Sequence, residues 1–262
     1  MGSLSFTPVY PFPSASGAFQ ATNRTPSLYQ NPFAPPPPSD QAIIRHALGL
    51  LGQIKNLPQD EQYMRHLGVY PGFQNGQQAL GVIQSKGIQV EFGDMGDSPA
   101  HAQWISDENK IMINQRYKGD SSPATLYAIS EAIYHEAGHA AGNGDGESSI
   151  QEELNCLGLN TLAYRYHAAT DPGYAQSALN NRLLSDGVAL YPKLFFDPDP
   201  SKKALIQRVV QKYGDLPLSS PGHPVPLSPM PLASRVKYQY QQQTQRPGTS
   251  PAGPTPQLSY EA

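Results

Sequence analysis

Apolar residues recur along the chain with two periods, and the switch between them marks out its elements. Ile43, Ile44, Ala47, Leu48, Leu51 and Ile54 fall at helical spacing. Asp40 is a suitable N-cap and Pro58 a stop, so the pattern predicts a helix over Gln41–Leu57. A shorter helix is expected over Gln77–Lys86, closed by Gly87. Ile88, Val90 and Phe92 then alternate with polar neighbours, which is the period of a half-buried strand. Ala102–Ser106 and Lys110–Asn114 flank the turn Asp107-Glu108-Asn109 and read as a β-hairpin, with Trp104, Ile111 and Ile113 supplying core. Helical character returns over Ala124–Ala141. There Ser122 is an N-cap type, Pro123 occupies the first helical position where its missing N–H costs nothing, and Gly142 is placed to end the helix. Further helices are expected from Ser148 or Ser149 through Tyr166, over Tyr174–Leu190, and over Ser201–Tyr213. The order predicts an α+β fold, with a small, mostly antiparallel sheet preceding a long helix and a mainly helical remainder.

Composition divides the chain further. Of its 262 residues 27 are proline, and they gather at the ends: Pro35–Pro38 lies in one stretch, Pro217–Pro231 in the other, with Gln239–Gln245 beyond. Such stretches bury too little apolar surface to offset chain entropy. Residues 1–40 and 216–262 are therefore expected to be Pro-rich or Pro/Gln-rich disordered segments around a domain at 41–215. A formal charge of −3 argues against nonspecific nucleic-acid binding. No stretch approaches the ~18 apolar residues of a membrane span, and Met1–Phe6 has neither a basic nor an apolar signal region. A cytoplasmic protein is the expectation. The single cysteine, Cys156, excludes an internal disulfide and a multi-cysteine metal site.

The candidate chemistry lies on the long helix, in His135-Glu136-Ala137-Gly138-His139. Histidines four apart project from one helix face and can fill two of the four positions of a tetrahedral zinc ion. Glu136 stands about 100° round the helix, displaced from ligation but within reach of a metal-activated water, as a general base must be. Ala137, Gly138, Ala140 and Ala141 keep the helix slim. Three acidic residues compete to be the third ligand. If Ile150, Leu154, Leu157 and Thr161 mark the inward side of the next helix, Glu153 lies about 70° from that centre and Glu152 about 170°, which favours Glu153. Asp145 completes the different pattern H-E-x-x-H-x-x-G-x-x-D.

With a glutamate on the following helix, the motif resembles the gluzincin class of zinc metallopeptidases, over roughly residues 88–166. Glu153-Leu154-Asn155-Cys156 is similar to that class's Glu-x-x-small pattern, whereas Leu157 stands where thermolysin-like members carry a supporting aspartate. A weaker similarity to metzincins rests on Gly142 and Asp145. The resemblance implies one zinc ion held by His135, His139 and Glu153, with Glu136 as general base and a peptide or protein as substrate. It also implies substrate binding along a sheet edge, for which the strand Lys110–Asn114 is the candidate. The rival expectation is a non-catalytic metal-binding or interaction module whose Pro-rich tails dock partner domains. Elsewhere His101 is expected at the surface, His167 as a cation at a helix C-terminus, Tyr134, Tyr164 and Tyr166 in packing, and Cys156 as a small buried hydrophobe.

Overall fold

The computed structural model describes residues 38–142, 148–174, 191–196, 201–226 and 231–244. The N-terminal Pro-rich stretch, Asp145 and most of the helix expected over Tyr174–Leu190 lie outside them. Three helices come first: α1 (Asp40–Leu51), α2 (Pro58–His66) and α3 (Gly76–Ser85). The N-cap of α1 is Ser39, whose hydroxyl accepts from the Ala42 N–H, and Gly52 ends it well before Pro58. Pro58 starts a helix instead of stopping one, sitting at the N-terminus of α2 where φ is already suitable.

The sheet joins β1 (Gln89–Gly93), β2 (Ala102–Ile105) and β3 (Lys110–Asn114) in the order β1-β3-β2. β2 and β3 form the expected antiparallel hairpin, while β1 runs parallel to β3. The sheet is thus mixed, with one pairing of each kind. Because β3 is central, its backbone is paired on both sides, and Lys110–Asn114 cannot receive an added strand. The edge that faces the next helix belongs to β2.

Two long helices follow, α4 (Pro123–Ala141) and α5 (Ile150–Thr170), and pack closely on each other. Ser122 caps α4 through the Thr125 N–H, and Pro123 is its first residue. Its last carbonyls are met by the Lys86 ammonium just past α3, 2.5 Å from the Ala140 oxygen, a cation where the helix dipole favours one. Beyond α5 lie α6 (Tyr191–Phe196), α7 (Ser201–Tyr213) and α8 (Leu232–Thr244). The last of these falls in the stretch expected to be disordered. It folds because Leu232, Ala233 and Val236 recur at helical spacing and are buried against the α5–α7 side, an apolar face that proline counts conceal.

α5 separates two hydrophobic clusters. Leu159 and Ala163 join α1, α3, α4 and the sheet; Ile150, Leu154, Leu157 and Leu162 join Met64 and the helices α6–α8. A helix buried on almost every side has no single inward stripe, so the face chosen from the sequence is only one of two. No described helix is long and apolar enough to cross a membrane.

Candidate metal centre

The α4 face bearing His135 and His139 meets the α5 face bearing Glu153, Cys156 and Asn160. Close approach is possible because residue 138 is glycine: a Cβ there would lie 2.8 Å from Leu159 Cδ1 and 2.9 Å from Cys156 Sγ. The two imidazoles are 3.1 Å apart at their Nε2 atoms. Each is fixed from behind. His135 Nδ1 donates to Asn160 Oδ1 at 2.6 Å, and the Asn160 amide is oriented by its own Nδ2, which donates to the Glu131 carbonyl. His139 Nδ1 donates to Glu152 Oε1 at 2.8 Å. With both Nδ1 positions spoken for, the Nε2 lone pairs point at each other.

That contact needs a proton or a metal between the nitrogens. Burial pulls His135 down to about 4, with His139 adding to the effect. For His139 burial acts in the same direction, but Cys156 and Glu152 outweigh it and raise the imidazole well above its usual value. Two nitrogens on a tetrahedral ion with bonds of 2.0–2.1 Å stand roughly 3.3 Å apart, so this pair already has the spacing of a metal-binding pair. Glu153 spans it, with Oε2 3.9 Å from His135 Nε2 and Oε1 3.8 Å from His139 Nε2. Burial would raise the Glu153 carboxyl, but the two imidazoles hold it below its ordinary value. His135, His139 and Cys156 also form a compact donor group, their ligand atoms within 4.8 Å of one another. These donors fit a divalent ion of zinc's preferences, and the shape of the set does not by itself single out zinc.

Glu136 does not join this group. Its Oε2 accepts from the Trp104 N–H of β2 at 2.8 Å, and burial pushes its carboxyl up to about 7. The side chains remain reachable: His135, His139 and Glu153 keep 14%, 11% and 13% of their surface exposed.

Several residues take roles the sequence did not assign them. Glu152, placed far round the helix by the assumed inward face, is buried and orients His139 through Nδ1. Its other oxygen accepts from Ser220 Oγ at 2.9 Å, and Ser220 belongs to a segment whose carbonyls at Pro217 and Leu218 cap the first N–H groups of α5. Asn160 could have been found, because it lies two turns past Glu153 on the same face. Lys212 of α7 adds positive charge felt by His101, His135, Glu136 and Glu153 alike. His101 is half-buried, not superficial. Its ring stacks on Tyr117, its Nδ1 bonds the Tyr117 hydroxyl, and burial lowers it to about 3. His167 is no helix-end cation either: burial holds it neutral, near 4, among Tyr127, Tyr166 and Tyr174. Tyr134 is core, bonded to Asn56. Tyr164 is half-buried against Tyr174.

The chain matches no family model, no curated protein and no solved structure in the comparisons made.

Proposed function

We propose that the protein is a zinc-dependent peptidase, hydrolysing peptide bonds at the α4–α5 centre. The observation that carries this reading is a separation of roles. Two imidazoles converge, each locked from behind, while the carboxylate beside the first of them is held apart by a strand amide. A structural metal site has no use for that carboxylate; a hydrolytic one requires it.

In this reading His135 and His139 hold the ion through Nε2, and Glu153 is the third ligand. Asn160 and Glu152 fix the ring orientations and tautomers. The ion would supply Lewis acidity and a water acidic enough to attack near neutral pH. Glu136, held by the Trp104 amide beside the first ligand, would take a proton from the attacking water and pass it to the leaving amine. β3 is enclosed, so an extended substrate would lie along an outer strand, and β2, whose Trp104 amide bonds the base, is the one tied to the centre. A peptide aligned there would run past Glu136.

The test is Glu136→Gln in the full chain, with zinc content and hydrolysis of a mixed peptide substrate measured together. Retained zinc with hydrolysis lost supports the reading. Cleavage at the parent rate would overturn it, and so would a parent protein that binds no zinc.

A further inference from the structure

Cys156 occupies a position that the proposed hydrolytic set does not use. It is one turn past Glu153 on α5, so both side chains leave the same face toward the imidazole pair. Its sulfur lies within 4.8 Å of the ligand atoms of His135 and His139. The approach is built into α4, since any side chain at position 138 would place a Cβ 2.9 Å from that sulfur. Thiolate sulfur is a strong donor to zinc-like ions, at about 2.3 Å. Leu159 makes the same demand on position 138 as a core residue, so what sets Cys156 apart is the convergence of its sulfur on two nitrogens.

We propose that Cys156 is a ligand to the metal, joining His135 and His139, with the Glu153 carboxylate 3.8–3.9 Å from the two imidazole nitrogens as the fourth donor. This rests on the metal-site reading above and adds to it. Binding forms a sulfur–metal bond and releases the thiol proton to solvent. The fourth position, which hydrolysis gives to water, is then filled by protein. A set of two nitrogens, one oxygen and one sulfur also favours zinc, cobalt and cadmium over magnesium and manganese.

The test is cobalt(II) titration of the metal-free full chain, read by absorption. Cys156 is the only cysteine, so any thiolate-to-cobalt charge-transfer band must come from it, and the parent protein alone decides the question. The expected result is a near-ultraviolet charge-transfer band rising in step with the visible bands of tetrahedral cobalt, saturating at one equivalent. In Cys156→Ser the visible bands persist, the charge-transfer band disappears, and cobalt affinity falls by about tenfold or more, since even partners behind a ligand are worth that much. Visible tetrahedral bands without the charge-transfer band in the parent would overturn the thiolate ligand while leaving the histidine–glutamate site standing. No cobalt or zinc binding at all would overturn both readings.

Discussion

The α4–α5 pair holds two buried polar clusters, built from similar residues to different ends. One contains His135, His139, Glu152, Glu153 and Asn160. The other contains Glu131, Tyr174, Tyr127, Asp171 and His167. In the second each acid is matched to a phenol: Tyr174 donates to Glu131 and Tyr127 to Asp171. The aromatic rings pack edge to face, Tyr127 on Tyr174 at 4.7 Å between centroids. Nothing converges there. In the first cluster the outer atoms are satisfied and the inner ones, both Nε2 lone pairs and a carboxylate, face a common point. Burial and unusual pKa values are shared by both, so neither marks a site. What separates them is where the remaining lone pairs aim.

The largest expected effect tests the first cluster's chemistry. Glu136→Gln should lower peptide hydrolysis by about 10²–10⁴-fold with zinc stoichiometry unchanged, as read by parallel metal analysis. Next comes the support behind the ligands. Asn160→Ala should weaken zinc binding by about 10–100-fold in a chelator competition, because His135 loses the acceptor that fixes its tautomer. If affinity stayed at the parent value, the distinction between clusters would lose its basis.

The second cluster should answer to pH rather than to metal. Burial holds Glu131 up at about 8. The unfolded carboxyl gives up its proton near its ordinary value while the folded one retains it, so stability falls as pH rises between about 4.5 and 8. Glu131→Gln removes that slope and still accepts from Tyr174. Compared with the parent it should gain roughly 3–4 kcal/mol on moving from pH 5 to pH 8, measured by urea unfolding. Smallest of all, Ser220→Ala removes one hydrogen bond to Glu152 and should cost about 1 kcal/mol, visible as a shift of the unfolding midpoint in the metal-free protein.

The parts legible in the sequence were those whose signals are local. Ser122 and Pro123 mark the start of α4, period-two alternation marks β1, and the turn Asp107-Glu108-Asn109 between two apolar runs marks the hairpin of β2 and β3. Histidine spacing on a helix needs no tertiary knowledge. The rest depended on neighbours. Pro58 can stop one helix or open another, and only the early end of α1 at Gly52 decides which. The inward side of α5 could not be read because two cores share it, which is why Glu152 was placed too far from His139. The partners of His101 and His167 come from Tyr117 and Tyr174, and no spacing rule links them. α8 was hidden by its Pro-rich and Gln-rich flanks.

The fastening of Glu152 by Ser220 has a consequence in time. These residues are 68 positions apart, so a ribosome making the chain at about 5–20 residues per second delivers Ser220 roughly 3–14 s after Glu152. During that interval the histidine helix and its glutamates exist without the strap that caps α5 and steadies its first turn. The His135–His139 cluster is therefore among the last features to mature. A nascent chain carries the donors before it carries the means to hold them still.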